Sequence, residues 1–359
     1  MTPQPGATAG PPSTRGRRAG APRAPVMDDV ARLAGVSHQT VSRVVNAQGS
    51  IRPATRERVE RAIAQLGYRP NGVARALARG RTGVIGVVTT SAALYGPRRT
   101  EHALRDAARS AGFALAAVDL PEVTPEGLGS AVDDLERMGA EGVVVVAGHE
   151  AASQPVHRDR QRLPVVVVQG DPVPGVLSVG VDQRAGAELA VRHLVALGHR
   201  RVVHVAGPAD WREARQRADG WRRAPLAAGL VAAAPRGGDW SSASGYVAGR
   251  VVADDPLATA VFAANDSMAV GVVHALHERG LEVPGDVSVV GFDDVPEAPF
   301  LSPPLTTVRQ DFHDLGARAF ALLSAALRGD VPPATGTVVP ELVVRRSTAP
   351  PGRAAVGAG

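Results

Sequence analysis

Cysteine and lysine are both absent from the 359 residues, and aromatic side chains make up only 3% of them. Without a thiol, disulfides, thiolate catalysis, iron–sulfur clusters and cysteine-ligated zinc are excluded. No apolar run approaches the roughly 18 residues that a membrane-spanning helix needs. The first 25 residues place Arg15, Arg17, Arg18 and Arg23 among Pro, Gly and Ala without an apolar stretch. They read as a disordered basic arm and not as a secretory signal, so a cytoplasmic protein is expected, with no membrane partner.

The overall charge of +5 conceals an asymmetry. Residues 1–82 hold 14 arginines against Asp28, Asp29, Glu57 and Glu60, whereas the rest of the chain holds 26 arginines against 31 acids. A basic head on a mildly acidic body is the footprint of a nucleic-acid module joined to something else. An arginine-for-lysine composition accounts for the identity of the basic residues but not for their segregation.

Between Val26 and Leu66 three short helical patterns follow one another. Val30, Leu33 and Ala34 share one face, Val41, Val44 and Val45 a second, and Val59, Ala62, Ile63 and Leu66 a third. Pro53 suits the first turn of the third helix and Gly67 its end. Asn71–Ala78 is a weaker helical candidate, and 80–83 a linker. Beyond Gly83, short β-branched runs appear at 84–88, 113–118, 143–147, 165–168, 202–206, 260–264 and 287–292. Helical stretches at 100–110, 130–138, 184–197 and 267–279 lie between most of them. That alternation predicts parallel βαβ units, and so many strands predict two α/β lobes.

Asp29 to Asn46 has the order of a helix-turn-helix. Gly35 stands where the turn needs an unhindered backbone, and Ser37 is placed to cap the second helix. With Val41, Val44 and Val45 turned inward, the outward face presents His38, Gln39, Ser42 and Arg43. Gln pairs bidentately with adenine and Arg with guanine, while Ser and Thr suit phosphates. The plain alternative is a small three-helix bundle with ordinary surface polar residues.

The run Asp29-Val-Ala, Ala-Gly-Val-Ser37 and Thr40-Val-Ser-Arg-Val, with Thr55-Arg, Leu66-Gly-Tyr68, Pro70-Asn71 and Ala74-x-x-Leu77, resembles the LacI family of bacterial transcription repressors. The resemblance extends over essentially the whole chain after Val26. It implies an α/β protein with an N-terminal helix-turn-helix head and hinge helix, joined to a two-lobed, periplasmic-binding-protein-like body with doubly wound parallel sheets. The implied divisions are a disordered arm at 1–25, a DNA-binding head at 26–70, a hinge and linker at 71–82, a body at 83–347 and a loose tail at 348–359. Within the body, the first lobe takes about 83–182 plus 311–339 and the second about 183–310 plus 340–347.

The resemblance also implies roles for particular residues. His38, Gln39 and Arg43 read bases, while Ser37, Thr40, Ser42, Asn46, Tyr68 and Asn71 meet the DNA backbone. Ala74 and Leu77 of the hinge enter the minor groove, where an exposed leucine unstacks a base step; the plain alternative for Leu77 is a linker leucine capping the body. In the body, segments such as Gly238-Asp-Trp240, Ala264-Asn-Asp-Ser-Met268 and Gly291-Phe-Asp-Asp294 are similar to lactose and galactoside repressors. They imply a sugar effector held by Arg217, Asn265 and Asp293, stacked on Trp240, with Gln310 and Phe312 nearby and Leu94, Gly96 and Pro97 on the first lobe. Each has a plain alternative: Asp293 capping a turn, Trp240 filling a core, Arg217 in a surface ion pair. Gln169 and Glu213 depart from the galactoside pattern, which has an aspartate and a serine there.

A nicotinamide-dependent oxidoreductase would need a G-x-G-x-x-G after the first strand, which reads Val84-Ile-Gly-Val-Val-Thr-Thr instead. No G-x-S-x-G elbow occurs, and His274 and His277 have no third metal ligand in view. A non-enzymatic, metal-free and cofactor-free repressor of carbohydrate genes, released from operator DNA by a sugar, is therefore expected. A corepressor-dependent, purine-type regulator is the rival, and a sugar receptor that does not bind DNA a weaker one. Residues 347–359 hold Pro350, Pro351 and a single large apolar residue, Val356, so no leucine heptad follows Arg346. A homodimer is expected, and light scattering at micromolar concentration should return the mass of two chains; the mass of four would overturn this.

Overall fold

A computed structural model describes residues 25–45, 49–68, 81–91, 93–121, 124–148, 163–169, 176–227, 235–331 and 336–352. The chain divides into two units at Gly80–Arg81.

The first unit contains α1 (Met27–Ala34), α2 (His38–Val45) and α3 (Pro53–Leu66). Asp29 accepts the Val26 N–H at 3.0 Å at the start of α1, and Gly35, at φ 61°, ends it in the left-handed region. Ser37 caps α2 as its position foretold, its Oγ accepting the Thr40 N–H at 3.2 Å. Val30, Ala31, Ala34, Val41, Val44, Val59, Ala62 and Tyr68 form the core. Leu33, expected inside, is 46% exposed, and Ala31 faces inward instead.

The second unit begins with β1 (Val84–Thr90), α4 (Tyr95–Ser110), β2 (Ala114–Leu120), α5 (Pro125–Arg137), β3 (Ala140–Val146), β4 (Val165–Val168) and β5 (Leu177–Val179). The five strands pair in parallel in the order β2-β1-β3-β4-β5. The chain then leaves this lobe and builds a second from α6 (Gln183–Ala196), β6 (Val202–Ala206), α7 (Arg212–Ala227), β7 (Arg236–Gly237), α8 (Ser242–Ala253), β8 (Ala260–Ala263), α9 (Asp266–Glu278), β9 (Ser288–Asp293) and β10 (Thr306–Arg309). It returns through Gln310 so that α10 (Phe312–Arg328) packs Phe312, Leu315 and Leu322 into the first lobe beside Ile85 and Val144. A last crossing at Val338, bridged to Val181, leads to β11 (Glu341–Val343), antiparallel to β10 at the edge of the second sheet. Neither lobe is a continuous stretch of chain.

Three helices went unmarked in the sequence pattern. The five arginines of α7 hide its inward face, and Gly245 and Gly249 make α8 look like a loop. The glycines of α8 instead let α9 approach. A Cβ on Gly271 of α9 would collide with the Ser242 carbonyl and come within 2.5 Å of Tyr246 N, and one on Gly245 would collide with the Met268 carbonyl.

The expectation of a loose tail from residue 348 needs correction for its first residues. Ser347 Oγ donates to the Val289 carbonyl and accepts the Thr306 N–H at 2.8 Å, while Thr348 bonds His193 at 2.9 Å. The Ala349 carbonyl accepts from Ser288 Oγ at 3.0 Å and meets His199 Nε2 at 2.9 Å. Buried histidines and serines of the second lobe therefore hold this segment; residues 353–359 lie outside the described set.

Gly271→Ala should force α8 and α9 apart and cost about 1–3 kcal/mol by overpacking. A thermal melt should show Tm lowered by several degrees; an unchanged Tm would contradict the close approach.

Candidate functional site

Both sheets have the topology of open α/β folds, whose crevices form beyond the carboxyl ends of strands where the strand order reverses. Here the reversals lie at β1/β3 in the first lobe and β6/β8 in the second. A cleft of about 550 Å³ opens between these strand ends. It is lined by Leu94, Gly96, Pro97, Arg217, Trp240, Asn265, Asp293, Gln310 and Phe312, all nine of the body residues singled out in the sequence. Tyr95, Thr100, Val146, Ala147, Gly148, Gln169, Trp211 and Glu213 complete the lining.

The polar wall is a ring of three hydrogen bonds closed by an ion pair. Arg217 Nε donates to Gln183 Oε1 at 2.8 Å, and Gln183 Nε2 donates to Gln310 Oε1 at 2.8 Å. Gln310 Nε2 donates to Asp293 Oδ1 at 2.6 Å, and Arg217 Nη2 lies 3.7 Å from that same oxygen. Arg217 also donates to the Ala264 carbonyl and lies 3.9 Å over the Phe292 ring. Its guanidinium is buried, not paired at the surface. Gln183 completes the ring without lining the cleft, and nothing in its sequence context marked it; a polar residue opening an apolar helix looks like an ordinary exposed one.

Asn265 caps α9, its Oδ1 accepting the Met268 N–H at 2.8 Å, and its Nδ2 donates to the Trp240 carbonyl at 3.0 Å. The amide therefore fixes the Trp240 loop, whose φ of 72° is left-handed. Trp240 meets Trp211 edge to face at 5.6 Å, and across the cleft Tyr95 meets Phe312 edge to face at 5.7 Å. Four of the chain's twelve aromatic residues therefore line one cleft. In so aromatic-poor a chain, the rarity of tryptophan was the signal that could have marked Trp211.

Burial sets the electrostatics. It pushes the Asp293 carboxyl up to about 6 against the opposing pull of Arg217 and Gln310, and lowers the affinity of Arg217 for its proton. Beneath the site, burial and the Asp293 charge push Asp266 up to about 8, although Asp266 accepts from Thr307 Oγ1 at 2.6 Å and from the Val295 N–H at 2.9 Å. Glu213 is raised chiefly by burial, and its Oε2 has no hydrogen-bond partner among the described residues.

On the head, His38, Gln39, Arg43 and Ser37 are exposed along α2, and Thr40 and Ser42 are half-buried. Tyr68 is buried with the head's core. Asn46, Asn71, Ala74 and Leu77 lie outside the described residues. Among the described residues no helix is long and apolar enough to cross a membrane.

A helix-turn-helix unit and a two-lobed cleft on one chain define a ligand-responsive regulator as a class. The family profile for bacterial regulatory proteins of the lacI family matches residues 26–71, and that for a periplasmic binding protein-like domain matches residues 191–348. The lactose operon repressor of Escherichia coli K12 is 35% identical over 327 residues, covering 90% of each chain. The HTH-type transcriptional regulator CelR of Thermobifida fusca is 34% identical over 90% of this chain and 98% of its own. A crystal structure of the lac repressor dimer bound to operator and the anti-inducer ONPF superposes with a TM-score of 0.83 at 34% identity, covering 91% of this chain and all of that one. A complex of CelR with cellobiose gives a TM-score of 0.66 at 32% identity, covering 90% of this chain and 99% of that one. The chain belongs to the LacI family.

Asp266 ordinarily titrates near 3.8 and in the folded protein near 8, so the native state holds a proton that the unfolded chain releases. That contribution is complete below about pH 4 and is lost as pH rises toward 8. Asp266→Asn should therefore gain on the wild type between pH 5 and pH 8, seen as a shrinking Tm difference; a constant difference would mean Asp266 is ionised throughout.

Proposed function

We propose that this chain is a homodimeric repressor of carbohydrate-utilisation genes, released from its operator when a small sugar occupies the cleft. The carrying observation is the polar ring of Arg217, Gln310 and Asp293 facing two aromatic pairs. Carboxylate, amide and guanidinium groups match vicinal hydroxyls, and an indole face covers the apolar side of a pyranose. The relatives that bind operator DNA or cellobiose support the same reading. It is a regulator and not an enzyme, as its relatives are repressors.

In this reading residues 26–70 read DNA through His38, Gln39 and Arg43, with Ser37, Thr40, Ser42, Asn46, Tyr68 and Asn71 on the backbone. Residues 71–82 form the hinge that presents Ala74 and Leu77 to the minor groove. The cleft residues Leu94, Gly96, Pro97, Arg217, Trp240, Asn265, Asp293, Gln310 and Phe312 take the effector. DNA and effector favour different lobe arrangements, so each weakens the other.

Operator titrations with and without sugars test this. Asp293→Ala should lose about 1–3 kcal/mol of effector affinity by removing a buried acceptor, and should hold the operator without being induced. Leu77→Ala should do the reverse, because the wedge that offsets kinking is gone. Arg43→Ala should cost about 1–3 kcal/mol on the specific site and relax the preference at one base pair. A folded Asp293→Ala protein induced at the wild-type concentration would sink the cleft assignment. A ligand that tightened operator binding would replace induction by corepression.

A further inference from the structure

Glu213 stands at the start of α7, where the first lobe meets the second, and departs from the serine of the galactoside pattern. Its side chain lines the cleft, is only 7% exposed, and leaves Oε2 without a hydrogen bond. A Cβ on Gly148 would come within 2.5 Å of that oxygen and 2.5 Å of the Trp211 ring, so carboxyl and indole form one tight corner of the wall. Among the residues lining the cleft, Arg217 is the single cation against Glu213 and Asp293. Its Nε and Nη1 donate to Gln183 and Ala264, and its Nη2 lies toward Asp293.

A buried carboxylate oxygen with no partner is costly, and in a binding cleft a donor on the ligand satisfies it. We propose that Glu213 determines specificity here, and that the effector is an amino sugar whose protonated amine is received by the Glu213 carboxylate. This rests on the reading that the cleft takes a sugar. A hydroxyl would supply a donor alone, whereas an ammonium supplies both a donor and a positive charge in a dry site. The adjacent indole of Trp211 offers a cation a second favourable neighbour. Burial raises the Glu213 carboxyl in the empty cleft, against the opposing pull of the Arg217 and Arg212 charges.

The test is calorimetric titration of the full-length protein at pH 6.5 with matched ligands. These are galactose, glucose, lactose and cellobiose, then galactosamine and glucosamine, then the corresponding N-acetylhexosamines, which keep the bulk but lose the charge. One of the hexosamines should bind at least about ten-fold more tightly than its parent hexose and its N-acetyl form. Glu213→Gln should remove most of that advantage and change the affinity for neutral sugars by less than about three-fold. Neutral sugars binding as tightly as the amines, or Glu213→Gln weakening both alike, would overturn the amine assignment and leave the sugar cleft standing. Binding of no sugar of any kind would instead bring down the sugar reading and this inference with it. If Glu213→Gln failed to melt cooperatively, the wild-type ratio of amine to hydroxyl ligand would still decide the matter.

Discussion

A guanidinium buried between two lobes needs acceptors from the chain around it, and that requirement organises the body. Arg217 is only 5% exposed, and the surrounding chain supplies a glutamine side chain and a backbone carbonyl as acceptors, with a carboxylate 3.7 Å away. Gln183 and Gln310 sit where the chain has just crossed between lobes, so the polar ring ties the crossings to the cleft. Any ligand that draws on Arg217 or Asp293 pulls on a network whose far members are the connecting segments themselves. Coupling between cleft and lobe arrangement then needs no remote relay.

The strand ends carry the second constraint. Asp293 and Asp294 both adopt left-handed backbone angles, at φ 113° and 52°, a conformation that costs a non-glycine residue of order 1–3 kcal/mol and persists only when neighbours over-determine it. Those neighbours are present. Asp294 is held by Arg345 at 2.6 Å and by Arg309 at 2.7 Å, and Asp266 grips the Val295 N–H from the other side. Arg309 also reaches Glu341 at 2.8 Å, so the same clamp fastens the edge strand that follows the last crossing. The cleft carboxylate is aimed by strain that this salt-bridge cluster sustains.

Much of this was legible in the sequence, for identifiable reasons. Buried parallel strands write themselves as unbroken valine runs, and the head as a turn glycine, a capping serine and a valine stripe. The cleft residues that follow strands, Asn265 and Asp293, were readable because position after a strand carries meaning in this fold. What escaped depends on distant partners. The α8 and α9 contact is set by glycines whose role appears only when the helices meet. Gln183 matters only because Gln310, far along the chain, is beside it. Thr348 and Ala349 looked like loose tail because the histidines and serine that hold them belong to other elements.

The interleaving of the lobes has a consequence for synthesis. The first lobe lacks α10 until residue 328 has been made, and the second lacks β11 and the segment around Ser347 until almost the whole chain exists. The head's core, by contrast, is drawn among the described residues from Val30 to Tyr68. On a ribosome the order of events is thereby fixed: the DNA-reading unit matures first, and the ligand-sensing lobes can close only together, near release. Through the second half of its translation the nascent protein carries a completed reader and two unfinished sensors, with apolar sheet faces awaiting helices not yet made.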